Sequence, residues 1–136
     1  MTVGNAINFV DTVKPNAFPD EAKIQWLSKL EGRIAGEVFL MAPAELAAFD
    51  FTTLTKTRAK ARTLLVDPPH DQIYVTWLQA QIDMENGEYS KYQNTMQMFN
   101  EGFNSFVAWF ANTYEPANGY VFPNLEEGGE DDGDVG

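Results

Sequence analysis

Between Tyr89 and Phe110 apolar residues recur at steps of three and four: Tyr89, Tyr92, Met96, Phe99, Phe103, Phe106 and Phe110. A repeat of this kind puts every member on one stripe of an α-helix and no other regular structure satisfies it. Six turns of such a stripe need a partner surface along their whole length. The spacing therefore predicts a helix from Glu88 to about Tyr114 and a fold built by packing helices on it. A second row on the same helix, Met98, Trp109 and Tyr114, exceeds what one small core needs, and Met and aromatic side chains are enriched where proteins meet. These three are candidate interface residues.

Three further helices are expected from the same periodicity. Val3, Ala6, Ile7, Val10 and Val13 form a stripe after Thr2, a candidate N-cap, and Pro15-Asn16 ends it near Lys14. Pro19, followed by Asp20 and Glu21, opens a helix that reaches about Leu40, with Ile24, Leu27, Leu30, Ile34 and Val38 inward. Its charged and polar residues Lys23, Gln25, Lys29, Glu31 and Arg33 are assigned to the solvent side. Asp71 starts the next helix, with Tyr74, Trp77, Leu78 and Ile82 inward, and Asn86-Gly87 breaks it.

The middle, residues 42–69, reads differently. Lys56, Arg58, Lys60 and Arg62 alternate with Thr57, Ala59, Ala61 and Thr63. On a strand the four cations share one face, whereas on a helix they spread widely. The expectation is an extended arm or hairpin with a basic face that docks an acidic surface. The fold class that follows is mainly α, a bundle of about four helices with this arm inserted. The helical domain spans residues 1–114, and residues 115–136 form a C-terminal extension. That extension holds the apolar Tyr120 and Phe122, also candidate interface residues, and then six acids from Glu126 to Asp134 with no base.

At 136 residues one domain is expected. The net charge of −11, which is still −5 without those six acids, argues against affinity for nucleic acid or anionic membrane. Cysteine is absent, so thiolate chemistry and disulfides are excluded, and a reducing compartment suits the composition. The first sixteen residues carry Asp11 and no basic start, against a signal peptide. His70, beside Asp67 and Asp71, has no assignable nucleophile or co-ligand and reads as a solvated loop residue. The acids of the tail lack the length of a calcium loop. No phosphate loop, metalloprotease or nucleophile-elbow motif occurs. Catalytic, cofactor and metal sites are all expected to be absent.

Two blocks resemble a known group. One is "INFVDTVKPNAFPDEAKIQWLSKLEGRI"; the other is "LLVDPPHDQIYVTWLQAQIDMENGEYSKYQNTMQMFNEGFNSFVAWF". Their order of short helix, Lys-Pro-Asn turn, "WLSKLEG", "PP" with an acid, "AQID", "NGEYSKYQN" and closing aromatic helix resembles the head–tail connector (adaptor) proteins of tailed bacteriophages and prophages. The resemblance implies a mainly helical, non-enzymatic virion protein of the neck, made in the host cytoplasm. It implies a ring, twelve-fold, stacked on the portal protein and offering a platform to a tail or tail-completion protein, with DNA passing through the channel. The basic middle and the acidic tail lie outside the resemblance. A different class, an acidic DNA mimic that inhibits a nucleic-acid-binding protein, shares the size, the charge and the lack of catalytic residues. It would spread its carboxylates over the folded surface, whereas six of the twenty acids here are terminal.

Overall fold

The computed structural model describes residues 1–114 and is mainly helical, with no strand among them. The helices are α1 (Val3–Val13), α2 (Asp20–Arg33), α3 (Pro43–Leu46), α4 (Lys56–Lys60), α5 (Gln72–Glu85) and α6 (Tyr89–Tyr114). The chain divides into two compact units, Met1–Phe103 and Asn104–Gly136, and the division falls within α6.

In the first unit α5 is central, and side-chain contacts fix how its neighbours run. Lys14 at the end of α1 meets Asp83 near the end of α5, and the amino group of Met1 lies near Asp71 before its start, so α1 and α5 are parallel. Trp77 donates its indole N–H to the carbonyl of Trp26 at 2.9 Å and Tyr74 donates to Glu31, so α2 is antiparallel to α5. Thr95 meets Asp83 while Gly102 faces Ile73, so α6 also runs back along α5. Trp77, Phe99 and Phe103 stack in series between them, with centroids 5.1 and 5.6 Å apart.

The local sequence explains these elements. The Thr2 hydroxyl accepts the Asn5 N–H, which makes Thr2 the N-cap of α1 as its chemistry suggests. Gly87, at φ 76°, turns the chain out of α5 in a left-handed conformation that suits glycine. The stripe Ile24, Leu27, Leu30, Ile34 and Val38 is buried as expected. The five residues that follow α2, Ile34–Val38, form a π turn in which the Phe39 N–H reaches back to the Ile34 carbonyl at 3.1 Å.

Four expectations are corrected. Residues 42–69 are not an extended arm or hairpin. They form α3, two 3-10 turns (Ala47–Phe49 and Phe51–Thr53) and α4, and Phe51 and Ala59 are buried. Alternation of period two suits a strand, but it also places Lys56 and Lys60 one turn apart on a helix, where Ala59 can face inward. After α4 residues 62–66 run as a strap whose Thr63 makes an isolated antiparallel bridge to Thr2. Lys23 and Glu31 are not on the solvent side: they are 2% and 0% exposed, each satisfied by a polar partner. Val13, the last residue of α1, is exposed. The seam of α6 is core only in part: Phe99, Phe103 and Phe106 are buried, Tyr92, Met96 and Phe110 half-buried, and Tyr89 exposed. Within the second unit the Phe106 ring lies 6.0 Å from Phe110 and 6.4 Å from Trp109.

Gly4 shows how closely α4 is docked. A Cβ there would lie 3.1 Å from the carbonyl oxygen of Lys60, a backbone atom with no freedom to move alone. α1 and the end of α4 touch backbone to backbone only because position 4 has no side chain.

Candidate protein-interaction surface

Of the four clustered cations, Lys56, Arg58 and Lys60 lie on α4 and Arg62 follows it. They do not share a face. Lys56 and Lys60, four residues apart, point together at the first turn of α2. Lys60 Nζ is 2.7 Å from Asp20 and Lys56 Nζ is 3.4 Å from Glu21. The hydrogen bond from Lys60 holds the Asp20 carboxyl below its ordinary value. At Glu21 a backbone hydrogen bond, then the charge of Lys56, acts in the same direction. The Lys60–Asp20 pair is partly exposed, so its worth is of the order of 0.2–1 kcal/mol, and the Lys56–Glu21 pair lies in water, where it is screened. Arg62 stacks over the Phe51 ring at 5.2 Å and donates to the Ala48 carbonyl at 3.0 Å.

Arg58 is left over. It is exposed, and its guanidinium has no partner among the described residues; its backbone N–H donates to the Thr55 hydroxyl that caps α4 and its carbonyl accepts the Ala61 N–H. Lys29, on the outer face of α2, is likewise uncommitted among the described residues. It lines an open groove of about 290 Å³ with Gln25, Ser28, Leu46, Phe49 and Asp50. Ser28 closes the floor by accepting the Phe51 N–H and donating to the Phe49 carbonyl.

Large apolar side chains are exposed as well. They range from Phe9 at 42% to Tyr89 at 62% and include Val13, Leu40 and Met98, with Trp109 in the second unit. Met98 and Trp109 were expected at the surface row of α6. Tyr114 closes that helix, and its side chain, with Tyr120, Phe122 and the acidic segment, lies outside the described residues.

A buried polar network escaped the sequence reading. The Glu31 carboxylate accepts the Tyr74 O–H at 2.7 Å and the Leu65 N–H at 2.6 Å, and the Tyr74 oxygen accepts the Val66 N–H at 3.0 Å. A signal for it existed. Ile24, Leu27, Glu31, Ile34 and Val38 step by three and four, so Glu31 stands in the buried stripe itself. Towards the other end of α5, Asp83 is fully buried against Lys14 at 2.7 Å and accepts from the Thr95 hydroxyl. The ammonium approaches Oδ1 off the axis of a hydrogen bond, so this contact acts through charge.

His70 lies in the turn before α5, where its N–H donates to the Asp67 carbonyl. Among the described residues no three His, Asp or Glu side chains are placed to hold a metal, and no helix is long and apolar enough to cross a membrane. Compared with known proteins, the chain matches no family model, no curated protein and no solved structure.

Proposed function

We propose that this protein is a structural subunit of a tailed-phage virion, a head–tail connector that forms a ring between portal and tail and performs no chemistry. The observation that carries the reading is apolar surface left in water on helices whose other faces are already packed. Phe9 and Val13 lie one turn apart on α1, along the flank of the face that buries Val3, Ala6, Ile7 and Val10. Met98 stands off the stripe of α6 that holds Phe99 and Phe103. Exposed apolar side chains of this size favour a protein partner over solvent. The resemblance of residues 7–34 and 64–110 to connectors supplies the kind of partner.

A ring needs two different patches that meet between neighbours. The committed cations Lys56, Lys60 and Arg62 hold the subunit together, so Arg58 is the member of the basic cluster free to reach an acidic neighbour. Exposed acids without a described partner, Asp67, Glu85 and Glu101, offer the opposite charge at separate places on the subunit. In this reading the acidic C-terminal extension repels phosphate and keeps DNA from lodging in the channel. Sedimentation velocity tests the proposal. The protein should self-associate as its concentration rises and co-sediment with portal rings. A monomer at every concentration that leaves portal rings bare would overturn it.

A further inference from the structure

Most of the chain's lysines and arginines are spent within the subunit. Lys14, Lys23, Arg33, Lys56, Lys60 and Lys91 pair with acids, and Arg62 donates to the Ala48 carbonyl. Lys29 and Arg58 are exposed and have no side-chain partner among the described residues. Lys29 also lines the groove between α2 and the two 3-10 turns. That groove continues along α2. Thr52 borders both the hollow of about 290 Å³ beside Lys29 and a second of about 140 Å³ beside Lys56. The outer wall carries Leu46, Phe49 and Leu54, all half-buried. Asp50, on the same wall, spends a carboxylate oxygen on the N–H and hydroxyl of Thr52.

From Glu21 to Gly32 on α2 the groove runs about 16 Å, at ~1.5 Å per residue. About five extended residues, at ~3.3 Å each, fill that length. An occupant that fits is short and extended, with aromatic side chains on one side and acids at one end. The chain's own sequence holds such a segment outside the described residues. Tyr120, Val121, Phe122, Pro123 and Asn124 are followed by Leu125, Glu126 and Glu127. Laid extended, the segment puts Tyr120 and Phe122 on the same side. Both the outer wall of the groove and this segment lie outside the two blocks that resemble connectors.

We infer that residues 120–127 of one subunit dock in the α2 groove of a second copy. Tyr120 and Phe122 lie against Leu46, Phe49 and Leu54, as aromatic anchors do in the apolar centre of an interface. Glu126 and Glu127 meet Lys29, because Lys56 at the other end already has Glu21. Between Tyr114, the last residue of α6, and Tyr120 the chain spans up to about 20 Å when extended, enough to enter an adjoining subunit. Groove and segment are different surfaces, so the contact is heterologous and repeats from copy to copy. The later acids, Glu130, Asp131, Asp132 and Asp134, stay in water. The contact needs a second copy and no portal, so it stands or falls apart from the connector reading.

Sedimentation velocity of the full chain and two variants tests it. Tyr120→Ser with Phe122→Ser disarms the segment. Gly32→Glu plugs the groove from a helical position where a Cβ meets nothing within 4 Å, so the fold is spared. Each should weaken self-association about tenfold or more, as loss of a central anchor does. An equal mixture of the two variants is decisive. One keeps the groove and the other keeps the segment, so together they should form a dimer and nothing larger. A monomeric parent, a variant that associates like the parent, or a mixture with no new dimer would overturn the inference. The last result would mean that the segment serves its own chain or another surface. Should Gly32→Glu lose the parent's circular dichroism, Lys29→Glu takes its place in the mixture. Co-sedimentation with portal rings is read separately, and it can succeed while the docking fails.

Discussion

Lys14→Met and Asp83→Asn remove opposite halves of one ion pair, and the structure says that they are not equivalent. The Asp83 side chain is 0% exposed and that of Lys14 is 26% exposed, with the charges 2.7 Å apart. Lys14→Met leaves a carboxylate in the interior with the Thr95 hydroxyl alone for company. Stranding a buried charge in this way costs about 3–5 kcal/mol. Asp83→Asn leaves an ammonium that can swing into water on its flexible stem. The amide still accepts from Thr95, but its N–H groups find no acceptor where Oδ1 stood, so the loss is about 1–3 kcal/mol, that of an unmet buried polar group. The double variant, with no charge left to bury, should be more stable than Lys14→Met alone. Urea unfolding followed by circular dichroism, with the slope of the transition checked for constancy, gives all three values. Equal losses in the two single variants, or a double variant worse than Lys14→Met, would refute the claim that the cost lies in an abandoned buried charge.

The remaining expectations use the same assay or a binding one. Gly4→Ala should cost about 1–3 kcal/mol, because its Cβ would press on the Lys60 carbonyl at 3.1 Å; Gly32→Ala, with nothing within 4 Å and a helical backbone, should instead stabilise by roughly 0.5–1 kcal/mol. Phe99→Ala should cost about 3–5 kcal/mol, as the ring is fully buried against Trp77 and Phe103. Arg58→Gln should leave unfolding unchanged and weaken self-association, with the parent's association also falling as salt rises; Lys60→Gln should lower stability by up to about 1 kcal/mol. An Arg58→Gln protein that associates as well as the parent at every salt concentration would remove Arg58 from the interface.

The four long helices were legible because their stripes, caps and breaks agree: Thr2 before the Val3 stripe, Pro19 with Asp20 and Glu21, Asn86-Gly87 before α6. The middle was misread because alternating Lys and Thr is compatible with two periods. What decides between them is remote, the pair of acids at the start of α2 that Lys56 and Lys60 reach from one helical face. Thr55, three residues before Arg58, was the local hint of a capped helix. Lys23 and Glu31 were assigned to water because charged residues are rarely wholly buried. Their partners, Asp11 on α1 and Tyr74 on α5, come from other helices, and neighbour identity is not encoded in the spacing of one helix. Of the interface residues, Arg58, Met98 and Trp109 are exposed as an interface would need, whereas Lys56, Lys60 and Arg62 are engaged within the subunit.

The central claim is that the exposed apolar and basic surface serves assembly on a portal. Electron microscopy of negatively stained portal rings, with and without this protein added, addresses it directly. The account expects an added tier of density with the rotational symmetry of the portal, lost or thinned when Phe9 and Val13 are replaced by Ser in a protein that still folds. Portal rings that look the same with and without the protein would contradict it.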